Sequence, residues 1–308
     1  MTRVAVVDIG TNSTRLLVAD VSPSGTVSEL VRRSTVTRLG EGVDASGSLS
    51  SAAVDRVFAT LSSYRSEIDS HDCTANLAVL TSAVRDAANG PEFAERIRRE
   101  FSLDAQILAG EQEAQLTFLG AMHDRSSSAM PTVVIDIGGG STEFVVGHDS
   151  VAGFHVSLPA GVVRMSERHI SSDPPAPAQL QALAQDVRRV FLAGLPPEHR
   201  AAVTHGIAVA GTATSAASIA QELDPYDPAR VQGYPLELAT VELLLARLAD
   251  MDEARRRSVV GLHPDRAPTI VAGMILLAEA LRAFELPCVE VSEHDILFGG
   301  VLRLAGLG

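Results

Sequence analysis

Two pairs of short hydrophobic runs recur along the chain, and each pair encloses a turn rich in Gly, Asn, Ser and Thr. The flanking runs are residues 4–7 and 15–19 in the first pair, and residues 133–135 and 144–146 in the second. The enclosed turns cover residues 8–13 and 136–141. β-Branched runs bounded by such residues are typical of strands joined in a hairpin. The pattern therefore predicts two β-hairpins.

The two hairpins align with each other without a gap. Residues 4–20 read VAVVDIGTNSTRLLVAD, and residues 132–148 read TVVIDIGGGSTEFVVGH. The positions shared in the turns are Asp8/Asp136, Gly10/Gly138, Ser13/Ser141 and Thr14/Thr142. Their separation is about one domain length. The repeat predicts two related domains, 1–125 and 126–308, with residues 123–131 as a polar linker.

Strands and helices alternate through the rest of the chain. Helical spacing occurs at 51–68, 91–101, 111–121, 178–193, 236–248 and 267–283. Extended runs occur at 76–80, 105–108, 208–210 and 288–291. Alternation of this kind predicts an α/β fold.

Charge and composition exclude several classes of protein. The formal net charge is −13, and aromatic residues make up 4% of the chain with no Trp, which disfavours nucleic acid and membranes as partners. All 25 basic residues are Arg. Chemistry that needs Lys, such as a Schiff base or a P-loop, is therefore excluded.

The remaining sequence signals are few. Cys73 and Cys288 fit neither a disulfide framework nor a zinc site. The N-terminus lacks the layout of a signal peptide, and the longest apolar run, 270–278, is shorter than a membrane span. These observations lead us to expect a soluble cytoplasmic protein.

The residues of the two turns suit a phosphate ligand. Glycine-rich backbone presents N–H groups to anions, and the hydroxyls of Thr11, Ser13, Ser141 and Thr142 add donors. The acids Asp8 and Asp136 repel phosphate directly but can hold Mg²⁺, which bridges carboxylate and phosphate. Two such turns that face each other would grip a phosphate chain from both sides. The alternative is two tight hairpins whose hydroxyls cap the backbone.

Several motifs, in this order and spacing, resemble the exopolyphosphatase/guanosine pentaphosphate phosphohydrolase family of the actin, sugar-kinase and heat-shock-chaperone superfamily. They are DIGTNS at 8–13, TSAVRDA at 81–87, GEQEA at 110–114, DIGGGSTE at 136–143 and SLPAG at 157–161. The resemblance covers nearly the whole chain. It implies two ribonuclease H-like (actin-like ATPase) domains with the active site in the cleft between them, and a C-terminal helix near 297–307 that packs back on the first domain.

The resemblance also implies roles for individual residues. Glu113 matches the general base that activates water, and Arg85 matches an arginine that steadies phosphate charge. Asp8, Asp136 and Glu143 match acids at a Mg²⁺ site, with Mn²⁺ as the alternative cation. The implied phosphate-binding residues are Thr11, Asn12, Ser13, Arg15, Gly138, Gly139, Gly140, Ser141 and Thr142. Gly211 and Thr212 are implied contacts of a nucleoside or phosphate.

Each of these residues also has a structural interpretation. Glu113 can be an acidic residue in an ordinary first helical turn, and Arg85 a surface partner of Asp86. The segment 211–215 can be a turn that opens a helix, and the segment 292–295 a structural hydrogen-bonding group.

The implied activity is Mg²⁺-dependent hydrolysis of the terminal phosphoanhydride of inorganic polyphosphate, with short chains preferred because the family's extra C-terminal domains are missing. Three alternatives stay open: a guanosine pentaphosphate 5′-phosphohydrolase, an ATP-dependent kinase and a nucleotide-gated interaction module. A homodimer is a further expectation.

Overall fold

The structure is a computed structural model that describes residues 1–123, 125, 130–148 and 151–307. Eleven strands occur in these ranges: β1 (Thr2–Ile9), β2 (Ser13–Val21), β3 (Val27–Val36), β4 (Ala75–Leu80), β5 (Ala105–Ile107), β6 (Thr132–Ile137), β7 (Thr142–His148), β8 (Val151–Leu158), β9 (His205–Val209), β10 (Pro235–Glu237) and β11 (Cys288–Val291).

The same residues form fourteen α-helices and one 3₁₀ turn, Pro264–Arg266. The helices are α1 (Val43–Ser46), α2 (Ser51–Ser70), α3 (Ser82–Asp86), α4 (Gly90–Phe101), α5 (Gly110–Met122), α6 (Val162–His169), α7 (Pro177–Gly194), α8 (Pro197–Ala201), α9 (Ala210–Ala220), α10 (Pro228–Val231), α11 (Leu238–Ala249), α12 (Glu253–Arg256), α13 (Ile270–Ala283) and α14 (Ile296–Leu304). None of the helices in the described ranges is both long and apolar enough to cross a membrane.

The chain divides into two compact units. Unit 1 comprises Met1–His123 and the C-terminal segment that begins at His294, and the described part of unit 2 runs from Arg125 to Glu293. The sequence suggests one boundary, after residue 125, together with a C-terminal helix that packs back on the first domain. The contacts group α14 with unit 1. Most of the proposed linker, residues 124 and 126–129, lies outside the described residues.

Each unit is built on one mixed sheet, and the two sheets share a pattern. The strand order is β3-β2-β1-β4-β5 in unit 1 and β10-β11-β9-β6-β7-β8 in unit 2. In both, three antiparallel strands continue into parallel strands: β1 pairs with β4, and β6 pairs with β9. The repeat seen in the sequence is therefore a repeat of topology.

The hydrophobic run that opens the chain is explained by burial on both faces of the sheet in unit 1. Ala5, Val7 and Ile9 belong to the core on one face, together with buried residues of α2 and α4. Val4 and Val6 pack on the other face with Leu297, Phe298 and Val301 of α14. Alternate residues of a strand point to opposite faces, so a strand covered on both sides reads as a continuous apolar run.

The core of unit 2 surrounds α13. Thirteen of its residues are buried, and its neighbours include α7, α9 and α11. A helix that is hydrophobic all round is the expected sequence signature of such a position.

The predicted α/β fold is confirmed, with both hairpins and the helices of 51–68, 91–101 and 111–121 close to their expected bounds. Ser50 caps α2, because its hydroxyl accepts the Ala53 N–H. Several elements were not predicted, among them β3, α3, β8 and α6. The acids Asp8 and Asp136 lie at the ends of β1 and β6, just before the turns.

Candidate active site

The turn between β1 and β2, which we call the first loop, is a tight hairpin connection of residues 10–12. It is closed by a hydrogen bond of 3.0 Å from the Gly10 N–H to the Ser13 carbonyl. Asp8 and Arg15 are register partners on the two strands just below the turn. The hairpin therefore places an acid and a base side by side at its mouth.

Arg15 bridges two buried carboxylates in unit 1. Its Nε and Nη2 atoms donate to Oδ2 of Asp8 at 2.9 and 2.6 Å, and its Nη1 atom donates to Asp295. Burial raises the pKa of Asp8, the Arg15 guanidinium opposes that rise, and the like charge of Asp295 adds to it. Asp295 also caps α14, since its Oδ1 accepts the Leu297 N–H at 3.0 Å.

The first loop is braced from two sides. The Asn12 carbonyl accepts the N–H groups of Thr37 and Arg38 at 3.0 and 2.9 Å. The hydroxyls of Thr11 and Ser82 are 2.9 Å apart, and both residues are buried. Because Ser82 begins α3, this contact ties the loop to the helix that carries Arg85.

Arg85 and Glu113 form an ion pair, although 28 positions separate them in the chain. The Arg85 Nη1 atom donates to Oε2 of Glu113 at 2.9 Å and to the Leu108 carbonyl at 3.0 Å. Glu113 lies in the first turn of α5 and is only 7% exposed. An ordinary acidic residue of a first turn would face solvent, as Glu111 does. The structure thus brings together the two residues expected to be catalytic.

The turn between β6 and β7, which we call the second loop, repeats the first. The Gly138 N–H donates to the Ser141 carbonyl at 3.0 Å. The loop carbonyls accept hydrogen bonds from the start of α6: Gly138 from the Val162 N–H at 2.9 Å, and Gly139 from the Val163 N–H at 2.8 Å. A Cβ atom at Gly161 would overlap the Gly139 backbone, so only glycine permits this close approach.

The mouth of the second loop carries two acids. Asp136 and Glu143 are register partners, and both are buried. The Ser141 and Ser157 hydroxyls donate to Oε1 of Glu143 at 2.6 and 2.7 Å. The Thr142 hydroxyl has a different partner and donates to the Ala160 carbonyl at 2.5 Å.

The donor chemistry favours a divalent cation at the second loop over the first. Mg²⁺ prefers carboxylate oxygens and usually binds through one or two of them, with water and phosphate completing its shell. Asp136 and Glu143 match that requirement, whereas Oδ2 of Asp8 is occupied by the cation of Arg15. Across residues 1–123, 125, 130–148 and 151–307, no three His, Cys, Asp or Glu side chains are grouped for a purely protein-made metal site.

Gly211 and Thr212 lie in the first turn of α9 rather than in a loop that precedes it. The Arg266 guanidinium packs directly against Gly211 and fills the space where a Cβ atom would be. Nearby in unit 2, the Tyr226 hydroxyl donates to Oε1 of Glu293, and burial together with that carboxylate raises the pKa of Tyr226.

Comparison with known proteins identifies the family. Residues 17–303 match the sequence profile of the Ppx/GppA phosphatase family. The chain belongs to this family. Exopolyphosphatase 2 of Mycobacterium tuberculosis is 34% identical over 319 residues, which cover 99% of both chains.

Solved structures agree with this assignment. An exopolyphosphatase from Cytophaga hutchinsonii superposes with a TM-score of 0.89 and 26% identity, covering 100% of this chain and 99% of that one. The PPX-GPPA enzyme of Aquifex aeolicus gives a TM-score of 0.81 and 29% identity, covering 98% and 99%. The family resemblance and the α/β fold that it implied are confirmed.

Sequence reasoning gave no role to three residues that the structure ties to the candidate site: Ser82, Ser157 and Asp295. Ser82 and Ser157 stand inside motifs that carried the family resemblance. Asp295 follows the last strand, in a segment for which a structural interpretation was favoured. The pairing of β7 with β8 places Ser157 opposite Glu143 and would have identified it as a site residue, but β8 was not predicted.

Proposed function

We propose that this chain is an exopolyphosphatase that depends on a divalent cation and releases orthophosphate from the end of inorganic polyphosphate. Its family consists of phosphatases, and relatives that it matches over their full length carry the name exopolyphosphatase. Phosphoryl transfer to water requires a positioned base and charge stabilisation more than covalent chemistry. The candidate site offers groups for both tasks.

The observation that carries the proposal is the buried ion pair of Glu113 and Arg85. A general base must be held in one orientation to draw a proton from an attacking water. Arg85 supplies that restraint, because the same Nη1 atom is anchored to the Leu108 carbonyl. In the proposed reaction, Oε1 or Oε2 of Glu113 takes the proton as the water oxygen attacks the terminal phosphorus. The bond to the bridging oxygen breaks, and the shortened chain leaves as an anion.

The cation would be held by Asp136 and Glu143 in unit 2. A bound Mg²⁺ or Mn²⁺ neutralises charge on phosphoryl oxygens in such a reaction. Asp8 has a different task in this proposal: with Asp295 it fixes Arg15 at the first loop.

The backbone of the two loops is proposed to bind the phosphates. The expected contacts are Thr11, Asn12, Ser13, Arg15, Gly138, Gly139, Gly140 and Ser141. Thr142 is less well supported as a phosphate contact, since its hydroxyl already donates a hydrogen bond to the Ala160 carbonyl.

The contact of Arg266 with Gly211 favours inorganic polyphosphate over guanosine pentaphosphate. A nucleoside that packed on the Gly211 backbone would have to displace the guanidinium. A substrate made only of phosphates makes no such demand, and Arg266 adds positive charge beside the first turn of α9.

A phosphate-release assay tests the proposal. Tripolyphosphate, a long polyphosphate, guanosine pentaphosphate and ATP are compared side by side, each with Mg²⁺ and with excess chelator. We expect release from both polyphosphates only with Mg²⁺, and no phosphate acceptor should be required, which separates a hydrolase from a kinase. The two polyphosphates also test the expected preference for short chains. Faster phosphate release from guanosine pentaphosphate than from either polyphosphate would make guanosine pentaphosphate the preferred substrate.

Glu113→Gln tests the base directly. We expect kcat to fall by about 10²–10⁴-fold with little change in KM, because the amide keeps the shape but accepts no proton. Glu111→Gln is the matched control, since it makes the same change in the same turn of α5 on an exposed side chain. Equal turnover of both variants would remove Glu113 from the mechanism.

A further inference from the structure

Three side chains form a row across adjacent strands of unit 2. Asp136 on β6 is the register partner of Glu143 on β7, and Glu143 is the register partner of Ser157 on β8. We call Asp136, Glu143 and Ser157 row 2. Directly opposed residues of neighbouring antiparallel strands have their side chains on the same face and in contact.

Glu143 is held firmly within row 2. Its side chain is 1% exposed, and its Oε1 atom accepts two short hydrogen bonds, one from Ser157 and one from Ser141. Two donors on one oxygen fix the rotation of the carboxylate plane as well as its position. A buried carboxylate without such donors would be costly to hold ionised.

The geometry points to Ser157 as a positioning residue, and this inference rests on the proposed function. Ser157 holds the Glu143 carboxylate in the orientation that receives the divalent cation at Asp136 and Glu143. Side chains that orient a ligating group typically change metal affinity by about 10–100-fold when they are removed. Ser157 would act on a bound cation only through its hydrogen bond to Glu143.

The other unit supplies a matched control for Ser157. In unit 1, the corresponding row runs from Asp8 on β1 through Arg15 on β2 to Ser34 on β3. We call Asp8, Arg15 and Ser34 row 1. Ser34 is exposed and stands opposite an arginine, so no carboxylate of the row lies directly across from its hydroxyl.

Direct Mn²⁺ binding to the full chain tests the inference without any substrate. Bound and free Mn²⁺ are separated by electron paramagnetic resonance, and the melting temperature of each variant is recorded. We expect Ser157→Ala to raise the Kd by about 10–100-fold. Ser157→Thr should stay near wild type, because it keeps the hydroxyl, and Ser34→Ala should leave the Kd unchanged.

A second pair of variants covers the case in which Ser157→Ala folds poorly. Ser157→Thr and Ser157→Val have nearly the same shape, and both residues suit a strand, so they differ mainly in the hydroxyl. Weak binding by the valine variant together with tight binding by the threonine variant supports the inference.

The outcomes separate this inference from the proposed function. If wild type binds Mn²⁺ and Asp136→Asn loses it, but Ser157→Ala and Ser157→Val bind as wild type does, Ser157 is not a positioning residue and the proposed cation site stands. If wild type binds no Mn²⁺, both the cation site and the inference are wrong.

Discussion

Rows 1 and 2 occupy the same place in the two units and differ at their middle position. Both lie beneath a hairpin closed by the same 3.0 Å hydrogen bond from a glycine N–H to a serine carbonyl. Both begin with an aspartate and end with a serine. Row 1 has Arg15 in the middle, whereas row 2 has Glu143.

That single difference in charge gives the two aspartates different neighbours. In row 1 the Arg15 guanidinium forms ion pairs with both Asp8 and Asp295, and these pairs hold the cluster together within unit 1. In row 2 a second carboxylate adds to the negative charge of Asp136, which favours a cation. One backbone framework therefore carries a cluster of ion pairs in one copy and the proposed cation site in the other.

The largest effect expected from this comparison is on stability, through Arg15→Met. The substitution leaves two buried carboxylates facing each other without their shared partner. Breaking a buried ion pair in this way costs about 3–5 kcal/mol. At the equivalent position of row 2, Glu143→Gln should change the free energy of unfolding by no more than about 1 kcal/mol, because it removes a buried charge and keeps an acceptor. Urea unfolding at pH 7 measures both.

An exposed arginine in the same unit is the control for Arg15→Met. Arg33 pairs with Glu67 on the surface, so Arg33→Met should cost less than about 1 kcal/mol. A loss for Arg15→Met that is no larger than this would mean that row 1 is not held by its ion pairs.

The repeat alone was sufficient to find both hairpins and the aspartate of each row, since it aligns them without a gap, whereas the role of Glu143 came from the family resemblance. Glu113 and Arg85 came only from the family resemblance. Local pattern predicts a helix around Glu113 but none around Arg85, and their contact depends on the packing of α3 against the loop that precedes α5.

Other parts of the site were hidden for identifiable reasons. β3 is a largely exposed edge strand that contains two adjacent arginines, so its apolar alternation is weak. The small residues at the start of α9 read as a turn, although Gly211 continues the helix. Asp295 is distant in sequence from Arg15, and no periodicity links a residue of the C-terminal segment to the first hairpin.

A smaller loss of stability is expected when the glycines packed against the two loops are replaced by alanine. Gly161→Ala would press a Cβ atom into the backbone of Gly139, which can yield only if the second loop moves. Gly40→Ala would meet the methyl group of Thr11, a side chain that can rotate. We expect about 1–3 kcal/mol of destabilisation for Gly161→Ala and less for Gly40→Ala.

Denaturant unfolding and Mn²⁺ affinity together check the glycine comparison. Gly161→Ala should also weaken Mn²⁺ binding, because the second loop carries Ser141, whereas Gly40→Ala should leave the Kd unchanged. The reverse order of the two stability losses would show that the first loop is the more rigidly packed one.

The smallest effect expected is the contribution of Asp8 to the pH dependence of the unfolding free energy. Its pKa is raised in the folded protein above the ordinary value of 3.8, chiefly by burial. The folded state therefore holds a proton on Asp8 over a range that starts near 3.8, where the unfolded chain has released it. In that range the contribution of Asp8 to stability falls as pH rises, by at most about 1.4 kcal/mol per pH unit.

Asp8→Asn removes this contribution, so the difference in unfolding free energy between wild type and variant should shrink as pH rises from about 3.8. Asp20→Asn should give the opposite slope. Asp20 hydrogen-bonds Arg3, which lowers its pKa, so its contribution is present above 3.8 and is lost as pH falls. If Asp8 and Asp20 gave slopes of the same sign, Arg15 would outweigh burial at Asp8. Row 1 would then be an ordinary salt bridge, and its contrast with row 2 would rest on charge alone.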